Sequence, residues 1–113
     1  MFSPVFKRMA PAMLGAALLA AVPALADDTD IVITIKDGKF EPSEVSAPTG
    51  QRIKIVVQNR GTSNSEFESS DFHREKVVLA GQDITLFVGP LDAGTYEFFD
   101  DFHPATRGHL TVK

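Results

Sequence analysis

Apolar residues recur at every second position along most of this chain. Ile31, Ile33 and Ile35 alternate with Val32, Thr34 and Lys36, and Asp37-Gly38 follows as a turn signal. Val45 lies in a short extended piece that ends at Pro48-Thr49-Gly50. Ile53, Ile55 and Val57 alternate with Lys54, Val56 and Gln58, and Val77-Val78-Leu79 runs into Ala80-Gly81. Ile84, Leu86 and Val88 alternate with Thr85 and Phe87 before Gly89-Pro90. After Ala93-Gly94, Tyr96 and Phe98 alternate with Glu97 and Phe99, and Leu110 and Val112 alternate with Thr111 and Lys113. No segment holds a helical i, i+3, i+4 stripe for more than two turns. Seven or eight short strands punctuated by Gly and Pro predict an all-β, antiparallel sandwich or barrel. Two stretches, Arg60 to Arg74 and Asp100 to Gly108, break the alternation; they are rich in carboxylates, hold His73 and His103, and are expected to be loops.

The N-terminus is of another kind. Lys7 and Arg8 precede an apolar run from Ala10 to Ala26 that closes on Ala24-Leu25-Ala26 and is followed by Asp27-Asp28. A basic start, a short apolar middle and an A-x-A end predict a secretory signal peptide over residues 1–26 and a single domain over 27–113. The run is short for a membrane anchor, contains Pro11 and Pro23, and has no basic stop-transfer residues after it. The domain is therefore expected in a bacterial periplasm, free of the membrane once cleaved. Of its charged side chains nine are basic and 15 acidic, a net of −6. That balance offers no electrostatic footprint for nucleic acid or anionic lipid. With no Cys there is no lipoprotein attachment point, disulfide, thiolate ligand or cysteine nucleophile.

The chemistry that remains is carboxylate and imidazole. If Tyr96 and Phe98 face the core, period two turns Asp100 inward and Asp101 outward. An inward carboxylate costs several kcal/mol unless a cation, a proton or strong donors compensate it. His103 is close enough in sequence to share a cation with Asp100; alternatively Asp100 caps the loop through backbone N–H groups and His103 is solvated. Glu66-Phe67-Glu68 places Phe67 on the core side and both carboxylates on the other face, and Asp71, His73 and Glu75 follow. Carboxylates with one or two imidazoles suit Fe, Mn, Cu(II) or Zn rather than Cu(I). Singly, each glutamate also reads as part of an acidic edge that discourages strand aggregation. His109 should point away from Leu110 and Val112 and is the weakest histidine candidate. No G-x-S-x-G turn, phosphate loop or dinucleotide fingerprint is present, and a closed sandwich offers no cleft for paired-carboxylate glycoside chemistry.

The order of motifs resembles the cupredoxins. Phe40, Pro42 and Val45 form F-x-P-x-x-V, Gly50 follows, and Ile53 to Asn59 read I-x-I-V-V-x-N. Farther on come G-P-L-x-A-G-T-Y-E-F-F from Gly89 to Phe99, then His103, then G-H-L-T-V. The resemblance implies a Greek-key sandwich with a copper site at one end. Matched by position, the copper-binding Cys falls on Asp100 and the second His on His103. The first His falls at or beside Ser65-Glu66, and the axial Met near Arg107-Gly108 is unfilled. A type 1 blue-copper centre needs the thiolate and is not expected. E-F-E-S, R-E-K-V-V and F-F-D-D-x-H are similar to cupredoxin-like proteins of bacterial iron-uptake systems, including the N-terminal domain of EfeO-type proteins. That likeness implies a periplasmic protein that binds iron or copper and assists ferrous-iron import, with an iron permease or periplasmic iron-binding partner. A copper-dependent ferroxidase step belongs to the same expectation. It also implies a ligand set of Glu66, Glu75, Asp100 and His103, with Glu68, His73 and Asp101 as an adjoining second site. A copper carrier with no iron role and a metal-free interaction module are the competing readings.

Overall fold

The computed structural model describes residues 29–113; the expected signal peptide and Asp27-Asp28 lie outside them. Among the described residues there is no helix, and hence none long and apolar enough to cross a membrane. Nine strands follow one another: β1 (Thr29–Lys36), β2 (Lys39–Glu41), β3 (Glu44–Ala47), β4 (Ile53–Asn59), β5 (Ser65–Ser69), β6 (Arg74–Val78), β7 (Asp83–Val88), β8 (Gly94–Asp100) and β9 (His103–Val112). They form a four-stranded sheet in the order β2-β1-β4-β7 and a five-stranded sheet in the order β3-β9-β8-β5-β6.

The all-β sandwich agrees with the alternation, with two refinements. The sheets are mixed rather than wholly antiparallel, because β1 runs parallel to β4 and β3 parallel to β9. The strand count also exceeds seven or eight: β5 lies inside the first stretch expected as a loop, most of the second belongs to β9, and β2 is a further short strand. In β5 the inward positions are Ser65, Phe67 and Ser69, and in β9 they include Thr106 and Gly108. Small and hydroxylated side chains at buried positions hide from hydropathy a period of two that burial shows.

The alternating residues supply the core. Ile31, Ile33 and Ile35 of β1 and Ile53, Ile55 and Val57 of β4 meet Phe67, Val78, Phe98, Leu110 and Val112 of the opposite sheet. Phe98 stands edge-on to Phe40 at 5.1 Å and stacks on Phe67 at 5.2 Å. Full burial of each such ring is worth about 1.5–3 kcal/mol, and ring pairs add about 0.5–1.5 kcal/mol. Gly108 lies opposite Phe98 and leaves room for it: a Cβ there would sit 2.6 Å from the ring and 2.5 Å from the Ser43 carbonyl oxygen. One open side of the sandwich is closed by β6, whose Arg74 Nε donates to the Phe87 carbonyl of edge strand β7 at 2.9 Å. This satisfies backbone that would otherwise template strand addition.

Candidate functional site

The β8–β9 connection gathers the candidate residues. It is a two-residue turn, Asp101-Phe102, with Asp100 and His103 paired across it, instead of the longer ligand loop expected from the sequence. Phe67 is the cross-strand partner of Asp100, so both side chains face inward, and Asp100 is only 1% exposed. Its Oδ1 accepts the N–H groups of Glu66 and Phe102, each at 3.0 Å. Its Oδ2 lies 3.0 Å from His103 Nδ1, and Ser65 is buried on the same side of the sheet. Burial pushes the Asp100 carboxyl up, but the Ser65, Glu66, His103 and Phe102 hydrogen bonds outweigh it and hold the group below the usual carboxylate range. Backbone capping and a histidine partner thus occur together.

A polar cavity of about 330 Å³ opens above this pair, lined by Asn59, Ser63, Ser65, Asp100, His103 and Thr106 among others. Asn59 shapes its rim: Nδ2 donates to the carbonyls of Ser63 at 2.9 Å and Val78 at 3.0 Å, while Oδ1 accepts the Gly61 N–H at 2.9 Å. Ser63 Oγ lies 3.5 Å from His103 Nε2. Nothing in the sequence distinguishes Ser63 from other loop serines; its position follows from the turn that Asn59 organises.

The other candidates occupy the opposite face of the same sheet. Glu66, Glu68 and Asp101 present ligand oxygens that all lie within 4.8 Å of one another. Glu75 is the cross-strand partner of Glu68. Partial burial, then the charges of Glu75, Asp101 and Glu68 and a hydrogen bond with Asp101, raise the Glu66 carboxyl above its ordinary value. Burial followed by Asp101 and Glu75 raises Glu68 likewise. His73 sits in the β5–β6 turn in a left-handed conformation, φ 57°, and lines an exposed depression with Glu68 and Glu75. The expected grouping is therefore redistributed. The backbone of Glu66 touches Asp100, but its carboxylate faces outward by strand parity and joins Glu68 and Asp101. Asp100 and His103 stay together on the cavity side.

Two further ion pairs lie on the outer face. His109 Nδ1 is 2.9 Å from Glu44 Oε2, which with Glu97 raises its pKa against a smaller opposing effect of burial. Arg107 pairs with Glu97 at 2.9 Å and lies over the Phe99 ring at 5.0 Å.

A type 1 copper ion does not fit the cavity end. The chain has no thiol, and the carboxylate at the position matched to the copper-binding Cys already accepts protein donors on both oxygens. His103 Nδ1 is likewise engaged.

Comparison with known proteins places the whole arrangement. An uncharacterized protein of Rickettsia prowazekii is 43% identical over 84 residues, covering 74% of this chain and 67% of its own. A reduced amicyanin variant matches with a TM-score of 0.62 and 23% identity over 80% of this chain and 88% of its own. The metal-binding domain of the Streptococcus pneumoniae Cu(I)-exporting P-type ATPase CopA, solved with Cu(I), matches with a TM-score of 0.69 and 17% identity, covering 74% and 84% of the two chains. At these identities the solved structures establish the fold, which is that of copper-binding proteins. The model of the cupredoxin-like domain spans residues 9–112, and the chain belongs to that family.

Proposed function

We propose that the chain is a periplasmic metal-binding protein that assists ferrous-iron uptake, capturing a divalent ion and passing it to an iron permease or a periplasmic iron-binding partner. The observation that carries this reading is the cluster of Glu66, Glu68 and Asp101 oxygens beside Glu75. Carboxylates are hard donors and favour Fe(II), Mn(II) and similar ions over Cu(I). Partial burial and then the charges of their acidic neighbours raise Glu66 and Glu68, and a cation would relieve the repulsive part. The cluster lies at the surface, so a captured ion keeps water ligands that a partner's donors can replace. The basic and apolar N-terminal segment ending in Ala24-Leu25-Ala26 supports export.

Anaerobic equilibrium dialysis against Fe(II) tests the site. Binding by the wild type should be lost or strongly weakened in the triple variant Glu66→Gln, Glu68→Gln, Asp101→Asn; equal binding by both proteins would sink the assignment. Growth under iron limitation tests the role, and a deletion strain that grows as well as its parent would remove the iron reading. A copper carrier with no iron role is the second reading, favoured by His103 and by the Cu(I)-bound structural neighbour. Affinity in vitro does not separate the two, because copper(II) outranks iron(II) at almost any nitrogen and oxygen site. A growth defect under copper stress, and none under iron limitation, would favour the carrier.

A further inference from the structure

Asp100 and His103 have very different capacities left for a ligand. An ionised carboxylate offers about four lone-pair positions. Both oxygens of Asp100 are already met by protein donors: the Glu66 and Phe102 N–H groups on Oδ1 and His103 Nδ1 on Oδ2, with the Ser65 hydroxyl acting on the same carboxylate. Its side chain is 2% exposed, so water does not compete for these positions. A cation would have to enter this enclosed position and compete with the protein donors to reach either oxygen. His103 is the reverse case. A carboxylate has no proton to give, so in the neutral ring the proton resides on Nδ1 and the lone pair on Nε2. The ring is 46% exposed and borders the polar cavity, with Ser63 Oγ 3.5 Å from Nε2.

We propose that Asp100 is a positioning residue that fixes His103 in the Nδ1–H tautomer, so that a borderline cation entering this cavity binds through His103 Nε2 and water, with Asp100 uncoordinated. This inverts the expectation from the resemblance, in which the position of Asp100 is itself a ligand. A carboxylate holding the far nitrogen of a metal-binding imidazole is a recurrent outer-sphere device. The proposal does not rest on the carboxylate cluster, which lies across the sheet.

Long-range proton–nitrogen correlation spectra of the 15N-labelled full chain, recorded without metal at about pH 8 where histidine is ordinarily neutral, test it directly. His103 should show a protonated Nδ1 and a bare Nε2. Titration with zinc chloride should move the Nε2 resonance while the Nδ1 proton persists. In Asp100→Asn the two backbone N–H groups still claim the side-chain oxygen, which turns the amide NH2 toward His103 Nδ1. The ring must then accept at Nδ1, so the tautomer should switch to Nε2–H and zinc should bind His103 about 10–100-fold more weakly. An Nε2–H tautomer in the wild type, zinc shifting Nδ1 in place of Nε2, or an Asn variant that retains the Nδ1 proton would each overturn the proposal. If the variant does not fold, the wild-type tautomer and its zinc response decide the matter alone. Glu66→Gln with Glu68→Gln should leave the His103 response unchanged, which separates this outcome from failure of the outer cluster.

Discussion

Asp100→Ala is the sharpest perturbation of the cavity end. It removes the acceptor of the Glu66 and Phe102 N–H groups, while Ser65 and His103 can turn toward the polar cavity. A buried donor left without a partner costs about 1–3 kcal/mol, so the two backbone groups set a ceiling of about 6 kcal/mol. Water entering from the cavity and the relief of burying a carboxylate both reduce this, and we expect a loss of about 2–4 kcal/mol. For a domain of this size each kcal/mol lowers Tm by about 4–8 °C, giving a fall on the order of 10–30 °C. Urea and thermal unfolding of wild type, Asp100→Ala and Asp101→Ala measure it, the last being the exposed control expected to stay within about 0.5 kcal/mol. The pH dependence has a definite sign. Because folding depresses the Asp100 pKa, its titration stabilises the fold fully above the ordinary value of 3.8 and ceases to do so as pH falls through the folded value below it. The wild-type advantage should therefore shrink in strong acid and not near neutrality. An Asp100→Ala protein as stable as Asp101→Ala, or a gap that is flat with pH down to the acid limit, would refute the idea that this carboxylate braces the turn.

Three other outcomes follow from the same geometry. Gly108→Ala places a methyl group against the Phe98 ring and the Ser43 carbonyl, and should destabilise by about 1–3 kcal/mol in urea unfolding with the fold retained. His109 has its pKa raised above 6.5 by Glu44, so its pairing stabilises below 6.5 and fades as pH rises through the folded value; the stability gap between wild type and His109→Gln should be larger in mild acid than in mild alkali. Glu68 has its pKa raised above 4.5, which means that its charge opposes folding at neutral pH. Glu68→Gln should raise the Tm of metal-free protein at neutral pH, the gain should vanish below about pH 4.5, and the same change should reduce the Tm rise produced by Fe(II) or Mn(II).

The fold was legible wherever burial and hydropathy coincide. The isoleucines of β1 and β4 and the Phe98 side of β8 are buried as their alternation requires. It was obscured where the inward residue is Ser65, Ser69, Thr106 or Gly108, because these are buried for hydrogen bonding or close approach rather than for apolar area. Ser69, for instance, donates to the Glu97 carbonyl at 2.6 Å and thereby ties β5 to β8. The same blindness extended the β8–β9 turn into a loop and placed His103 on that loop rather than at the start of β9. Parity did anticipate the inward Asp100 and the outward Glu66 and Glu68. What it could not supply was the number of donors meeting Asp100, since Glu66 N–H and Phe102 N–H are backbone groups whose directions depend on register and turn type.

That donor count explains why neighbouring acidic residues behave in opposite ways. Asp100 and Asp101 are the same residue type one step apart, yet Asp100 ends β8 facing inward and Asp101 opens the turn at the surface. Inside, protein donors meet both oxygens, the Asp100 carboxyl is held below the usual carboxylate range, and the enclosed group is poorly placed to take a metal. Outside, Asp101 meets Glu66 and Glu68, and partial burial together with the neighbouring negative charges raises both glutamates above their ordinary values. A cation would relieve the repulsion in the second arrangement and would compete with protein donors in the first. If the family's thiolate position falls on Asp100, as the resemblance implies, the proposed metal binding has physical reason to lie at the exposed carboxylates and at the imidazole that Asp100 aims.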